Sequence, residues 1–592
     1  FIFRPVAMYV PKAIANDAAP NFLALPVGTH VWDACVKTWR TYRQLAPGKQ
    51  SSKTFYQAVS QYAVPFSRGK FIGLDAMQDS YPMPRLYDSV IPFVMEQAER
   101  LPALLEDPAQ HPEKGDLPLL KHRGSVQSIK LGRELVLSLL ANCFLLSIAP
   151  DYEHRKLSPA EQCYPQCQPD PRFHLLLSTQ APQEVAKLRM FMNYFERCQA
   201  AMPKGWLSLY RYCRDQNLNM AEWEGCSKEL MPVDVVDVGI GFEDARGKGC
   251  IHADFANMMI GGGVLSGGCV QEEIRFSICP ENLVALLLCP CMNDAESIQI
   301  VGAEQFSAYQ GFGFSLRYRD NYQDPCERDS DGTPRVSIVA MDALDFRYSR
   351  STTVVEQMNE EFMLREMNKA AAAFHPTNAF TRDLPIATGN WGAGAFLGCA
   401  QLKALIQWAA ASLGGRSIRY FPFDQDKKLF GKQLQELSVL CVHRKKTIGD
   451  LVLALNELGR KDNKLRPNNL LAKVAIQLGF PLEIGTGTGT GTGTGAAPAP
   501  APDEPEIIAL NDSSGMEGPP RSDSTSSANL GATRSAPKIA LPEGAPTKPL
   551  TDPVEEEGEE GQDEVSFFGC WCRKRKPREP QSVGGPARIS AC

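Results

Sequence analysis

The stretch DFANMMIGGGVLSGGCVQEE, residues 254–273, decides how the rest of the chain is read. Three successive glycines, Gly261, Gly262 and Gly263, let a backbone approach a ligand closely and take up positive φ. Their N–H groups are suited to cradle phosphate oxygens. Gln271, Glu272 and Glu273 follow almost directly. Two carboxylates beside a phosphate cradle are repelled by its anion. In a cleft, burial and that anion raise a carboxyl pKa, which gives a proton donor near neutral pH. Protonating a glycosidic leaving oxygen requires such a donor. On an extended segment the adjacent glutamates point opposite ways, one towards acid chemistry and the other towards a sugar hydroxyl.

Working outward, residues 233–240 (VDVVDVGI) read as a strand before this stretch, and the apolar run 283–288 reads as a buried strand after it. Further strands are expected at 297–303, 335–342, 386–388 and 417–421, with helices at 356–373 and 400–412. A second glycine-rich loop, GNWGAGAF at 389–396, lies between a short strand and a helix, the setting of a phosphate loop. It lacks both the GxGxxG pattern and the Gly-Lys-Ser/Thr ending of a P-loop. Strands alternating with helices and glycine-rich turns predict an α/β layered domain, with its ligand at the strand ends.

Upstream, residues 85–230 read as mostly helical, with helices at 88–105, 132–148 and 184–199. The run LVLSLLANCFLLSI at 135–148 is too short for a bilayer and is interrupted by Ser138, Asn142 and Ser147, so a buried helix is expected. The first 80 residues show strand-like pieces and many prolines. Near residue 485 the texture changes to GTGTGTGTGTG, and Pro, Gly, Ser and acidic residues follow to about 564. Such a tail buries too little apolar surface to offset chain entropy, and disorder is expected there.

The 592 residues are 43% hydrophobic and 22% charged, with a net charge of −6. This is an ordinary globular composition, incompatible with a collagen-like or wholly disordered chain. The mild acidity argues against a dedicated nucleic-acid binder, so no direct DNA binding is expected. The 18 cysteines include no CxxC pair, so no structural zinc is expected, and thiols in a reducing compartment are the simplest reading. The chain starts at Phe1, which suggests a processed or truncated N-terminus.

GGG, seven residues and QEE resemble the signature of poly(ADP-ribose) glycohydrolases. The similarity continues through DFAN at 254–257, EQFSAYQGF at 304–312, AMDAL at 340–344 and ATGNWGAGAF at 387–396. PLLK at 118–121 and LLANCF at 139–144 resemble that family's accessory helical domain, and the likeness covers roughly residues 80–460. The resemblance implies a macrodomain, a mixed β-sheet sandwiched between helices, with an N-terminal helical accessory domain and a disordered C-terminal tail. The boundaries it suggests are an N-terminal extension at 1–80, the accessory domain at 81–231, the macrodomain-like catalytic domain at 232–465, and linker and tail at 466–592.

The reaction implied is hydrolysis of the ribose–ribose O-glycosidic bonds of poly(ADP-ribose) carried by modified proteins, releasing ADP-ribose. The resemblance implies reversal of ADP-ribosylation, as in the DNA damage response, in the nucleus and/or the cytoplasm, by a monomer without metal or cofactor. By motif, Glu273 resembles the acid/base, Glu272 a ribose-binding partner, Asp254 a further acidic member of the catalytic set, and Asn257 a ribose contact. Gly261, Gly262, Gly263, Asn390, Trp391, Gly392, Ala393, Gly394 and Ala395 would cradle the diphosphate, and Phe396 belongs to the same motif. Gln271, Phe242 and Glu243, the last two from the end of the preceding strand, would line the adenine side. Phe423 matches an aromatic that stacks on adenine, and Tyr309 either packs or binds.

Three positions depart from the pattern. Phe312 stands where a Tyr is usual over the ligand, Ala393 replaces a common Cys, and Asp424 replaces a Gly. Bland readings also apply: Trp391 and Phe396 as core, Asp254 as a helix cap, His252 as structural, and Met258 and Met259 as core. The competing function is a non-catalytic ADP-ribose reader, which has no need of two carboxylates beside the ligand phosphates. In the tail, Cys570 and Cys572 precede the basic run RKRKPR at 573–578. That run reads either as a nuclear localisation signal or as part of an acylated membrane anchor.

Overall fold

Among the described residues ten strands form two sheets. They are β1 (Ser125–Gly132), β2 (Trp206–Cys213), β3 (Val233–Val235), β4 (Ile251–Asp254), β5 (Glu296–Val301), β6 (Ser307–Gln310), β7 (Arg317–Asn321), β8 (Ser337–Ala340), β9 (Ile386–Gly389) and β10 (Ile418–Phe421). In this computed structural model the described residues are 22–63, 69–121, 125–148, 170–214, 216–243, 247–348, 353–423, 428–462 and 464–480. Eight strands make one mixed sheet in the order β1-β2-β5-β8-β4-β9-β10-β3, and β6 and β7 form a separate hairpin. The pairs β1/β2, β2/β5 and β5/β8 are antiparallel. From β8 onward the neighbours β4, β9, β10 and β3 run parallel. The C-terminal ends of these parallel strands therefore share one edge, where α/β folds bind ligands.

The sheet lies between two helical layers, and single-residue alternation along its strands shows this. Ile338 and Ala340 of β8 belong to one apolar core, whereas Val339 and the following Met341 belong to the other. The first core is built with α1 (His30–Arg43), α2 (Ser52–Val59), α3 (Ile91–Glu99), α4 (Arg133–Phe144), α5 (Pro182–Ala200), α6 (Gln271–Ile278) and α7 (Val284–Leu288). The second is built with α8 (Glu360–Ala373), α9 (Ala400–Leu413), α10 (Lys428–His443), α11 (Ile448–Lys461) and α12 (Leu470–Gln477).

The expected buried helix is α4, and the polar residues that interrupt its apolar run dock it. Ser138 Oγ donates to Gln97 O at 2.7 Å and Asn142 Nδ2 to Ala98 O at 3.1 Å, both on α3. Among the described residues no helix is long and apolar enough to cross a membrane.

Several expectations are corrected. Within the first 80 residues, the described stretches 22–63 and 69–80 hold helices rather than strand-like pieces. Thr29 caps α1 by accepting from Trp32 N, and Ser51 and Thr54 form a capping box on α2. The apolar run 283–288 is helical, a 3₁₀ turn over Pro280–Leu283 leading into α7. A continuous apolar run does not distinguish a buried strand from a buried helix, and Ala and Leu favour the helix. The strand expected at 233–240 stops at Val235, because β3 is an edge strand whose neighbour β10 pairs with only three of its residues. The stretch 81–231, expected to be mostly helical, also supplies β1 and β2 to the main sheet. Packed structure also continues past 465, since Leu470, Leu471, Val474 and Ala475 of α12 are core residues. The repeat at 485–495, Cys570, Cys572 and the basic run lie outside the described residues.

A buried ion network joins the helical layer to the sheet. Arg133 at the start of α4 donates Nε to Glu281 Oε1 at 2.7 Å and Nη2 to Glu304 Oε2 at 2.8 Å. All three residues are buried, so removing one partner leaves an uncompensated charge in low dielectric. Replacing Arg133 by Met is expected to cost about 3–5 kcal/mol of stability. The measurement is the denaturant midpoint, and an unchanged midpoint would contradict the network's structural role.

Candidate active site

At the end of β4 stands Asp254, 1% exposed, with both carboxyl oxygens lacking a hydrogen-bond partner among the described residues. The chain then turns through Asn257 and the three glycines and enters α6, whose first three residues are Gln271, Glu272 and Glu273. The QEE segment is therefore a helix start and not an extended piece. As neighbours in the first turn of α6, the glutamates sit where the helix dipole favours negative charge.

Backbone amides grip both of them. Glu272 Oε1 accepts from Gly261 N at 2.6 Å and Oε2 from Asn257 N at 2.8 Å. Glu273 Oε1 accepts from Gly263 N and Oε2 from Val270 N, each at 2.9 Å. Gly262 N donates to Met259 O at 3.1 Å. The amides of Gly261 and Gly263 thus hold the two carboxyls and that of Gly262 closes the turn, so all three, expected to cradle phosphate, have acceptors within the protein. Gly262, at φ +50°, tolerates no side chain, because a Cβ would lie 2.6 Å from Glu273 Oε1 and 2.7 Å from Glu272 Oε2.

Gln271, expected on the adenine side, has both ends of its amide engaged within the protein. Its Oε1 accepts from Phe255 N at 2.9 Å and its Nε2 donates to Ala253 O at 3.3 Å, tying the start of α6 to the end of β4. Asn257 Oδ1 accepts from Met259 N at 3.0 Å and shapes the turn before the glycines.

The acids share one buried pocket. Burial pushes the Asp254 pKa up to about 8, with Glu273 adding to the rise and Arg275 opposing it. Burial likewise pushes Glu272 well above the usual carboxylate range, reinforced by Asp254 and Glu273, while the amides of Asn257 and Gly261 pull the other way. Arg275 of α6, 5% exposed, is the local cation and approaches Glu243 at 3.6 Å. Glu243 and Phe242 sit in the loop after β3 rather than at a strand end. Phe242 is buried against Phe421 (centroids 5.0 Å), Phe255 and His252, and so packs the pocket wall. His252 is structural: its Nε2 meets Gly247 O at 2.8 Å, and burial pushes its pKa down to about 3.

The second loop leaves β9 on the same edge of the sheet. Asn390 Nδ2 donates to Pro422 O at 2.6 Å and Asn390 Oδ1 accepts from Tyr420 Oη at 3.1 Å, so the loop is tied to the end of β10. Trp391 is fully buried, donates Nε1 to Met341 O at 3.0 Å and packs in the second core. Lys403 Nζ lies 4.4 Å from the Trp391 ring centroid and pairs with Glu366. Phe396 is partly buried, with the Arg347 guanidinium 5.2 Å from its centroid. Ala393 N donates to Asn390 O at 3.0 Å. Among the described residues the amides of Gly392, Gly394, Ala395 and Phe396 have no acceptor, and Gly394 and Ala395 are exposed. These amides are open to an anion.

Two aromatics mark the outer side. Phe312, in the turn between β6 and β7, and Phe423, just after β10, are each 44% exposed with ring centroids 5.9 Å apart. Phe423 holds φ at +64°, rare for a bulky side chain. Tyr309 packs against Ile274, Ile278 and Leu316. Asp424 lies outside the described residues. Sequence reasoning missed two residues. One is Arg275, the first cation after QEE. The other is Lys187, a buried lysine of α5 that donates to three carbonyls of the glycine loop. Among the described residues no three His, Cys, Asp or Glu side chains group as a metal site.

Two models of one family match the chain: "Poly (ADP-ribose) glycohydrolase (PARG), Macro domain fold" over residues 220–429 and "Poly (ADP-ribose) glycohydrolase (PARG), helical domain" over residues 81–211. Among curated relatives, poly(ADP-ribose) glycohydrolase 1 of Caenorhabditis elegans is 32% identical over 58% of this chain and 47% of its own length. Poly(ADP-ribose) glycohydrolase 2 of the same organism is 30% identical over 59% of this chain and 77% of its own. Poly(ADP-ribose) glycohydrolase 1 of Arabidopsis thaliana is 30% identical over 65% of this chain and 80% of its own. The chain thus spans about half of the first relative and more than three quarters of the other two. A mixed sheet between helical layers, with acids and an open amide loop at its parallel edge, agrees with these matches, and the chain belongs to the poly(ADP-ribose) glycohydrolase family of glycosidases.

Proposed function

We propose that this chain hydrolyses the ribose–ribose O-glycosidic bonds of poly(ADP-ribose) on modified proteins and releases ADP-ribose, with Glu273 as general acid and then base. The observation that carries this reading is that Asp254, Glu272 and Glu273 are all buried and close enough to raise one another's pKa, at the end of a strand whose neighbour β9 runs into the open amides of the 392–396 loop. Glu273, 7% exposed against 3% for Glu272 and 1% for Asp254, is the most accessible of the three. Its carboxyl gives a proton to the departing ribose oxygen and then accepts one from the attacking water. Glu272, fixed through both oxygens, holds a ribose hydroxyl. The diphosphate lies on the second loop, and an adenine stacks at Phe423 beside Phe312. Phe312 packs without the hydroxyl of a Tyr. Every described cysteine is a thiol, which supports a reducing setting, the nucleus and/or the cytoplasm.

Asp254 enters as a protonated acid. Its folded pKa of about 8 exceeds the model-compound value of 3.8. Between those values the folded protein binds more protons than the unfolded chain, so stability falls as pH rises. The contribution is complete below the unfolded pKa and is lost as pH passes the folded one. Asp254→Asn is therefore expected to flatten the fall in melting temperature between about pH 5 and pH 9. An unchanged slope would show that Asp254 does not titrate there.

The acid role is tested with Glu273→Gln on purified poly(ADP-ribose), read by chromatography. ADP-ribose release is expected to fall about 100-fold or more, while the calorimetric affinity for ADP-ribose stays within about threefold. Undiminished release would remove Glu273 from the acid role.

A further inference from the structure

The glycine loop between Gly263 and Gly268 folds its carbonyl oxygens inward. Lys187 of α5, fully buried, places Nζ at their focus, 3.3 Å from Gly263 O, 2.6 Å from Ser266 O and 2.5 Å from Gly268 O. An ammonium has three donors, and here each meets a carbonyl. Without the cation, three converging carbonyl dipoles face one another in a site closed to water, which is costly.

This loop is in direct contact with the proposed acid. Gly263 N donates to Glu273 Oε1, and Gly268 lies so close that a Cβ there would stand 2.6 Å from the same oxygen. A shift of the loop therefore shifts the carboxyl. The same helix fixes a second wall of the site. Asn193 Nδ2 donates to Phe306 O at 2.8 Å and Ser307 Oγ at 3.1 Å, Arg197 Nη1 donates to Tyr322 O at 2.6 Å, and Arg189 lies 4.5 Å from the Tyr318 ring centroid. These contacts anchor the hairpin β6–β7, whose turn carries Phe312.

We propose that Lys187 is a positioning residue: through three loop carbonyls it holds the Gly263–Gly268 backbone against Glu273, so that the helical layer sets the geometry of the acid. The proposal rests on the catalytic reading of Glu273. It differs from a general packing role because the adenine and diphosphate contacts, at Phe423 and residues 392–396, do not involve Lys187.

The test compares the wild-type protein with Lys187→Met and Lys187→Arg on purified poly(ADP-ribose). Misplacement of a catalytic group by about 1 Å costs on the order of 100-fold. Lys187→Met is therefore expected to lower kcat about 10- to 100-fold, with ADP-ribose affinity and the number of binding-competent sites nearly unchanged. Hydrogen exchange should quicken over 261–270 and stay constant over 389–398. Lys187→Arg, whose planar fork does not match three carbonyls converging on a point, is expected to fall in between. Unchanged kcat in Lys187→Met would overturn the proposal. So would a loss of kcat matched by loss of binding-competent sites, or failure of both variants to fold, since each makes Lys187 a folding residue. An inactive wild type would instead sink the catalytic reading itself.

Discussion

Four backbone amides hold two glutamates at the start of α6, and the arrangement of the site depends on that grip. Carboxylates buried to this degree need donors, and the donors come from Asn257, Gly261, Gly263 and Val270. The grip forces the loop to be glycine-rich, because Gly262 passes within van der Waals contact of both carboxyls. The first loop spends the amides of Gly261 and Gly263 on the glutamates, whereas the amides of Gly392, Gly394, Ala395 and Phe396 in the second have no protein acceptor among the described residues.

The sheet brings these parts together. β4 ends in Asp254, β9 runs into the second loop and β10 leads to Phe423. The parallel order β4-β9-β10 sets the three ends side by side on one edge. Gln271 and Asn390 are the cross-ties. Gln271 binds α6 to the end of β4, and Asn390 binds the second loop to the end of β10. Beneath the loop, Lys403 under Trp391 and its partner Glu366 form a buried support. The raised carboxyl pKa values follow from the same closure: burial raises Asp254 and Glu272 together, Arg275 opposes the rise at Asp254, and the amides of Asn257 and Gly261 oppose it at Glu272.

Much of this is legible in the sequence because it is local. Gly261 to Gly263 with Gln271 to Glu273, the helix 184–199 and the strands around 298, 338, 386 and 418 all carry their own periodicity or composition. What is missed is non-local or ambiguous. Val270 is no ordinary N-cap, so nothing in VQEE announces a helix start. The run 283–288 is apolar all round and has no period to read. Lys187 lies 76 residues before the nearest of the carbonyls it holds, and a lone lysine in a helix gives no sign of being buried. Trp391 sits inside a ligand motif yet serves the core. The helices α1 and α2 were readable, since Thr29 and Ser51 are N-cap residues before Trp32, Cys35, Trp39 and Phe55 at helical spacing. Their neighbouring prolines and aromatics obscured them.

The central claim is that this pocket cleaves the polymer and does not merely hold it. Incubation of the full chain with purified poly(ADP-ribose), followed by chromatography of the soluble products, tests it most directly. The account predicts that ADP-ribose accumulates as the polymer shortens. Polymer that stays intact while ADP-ribose still binds the protein would contradict it.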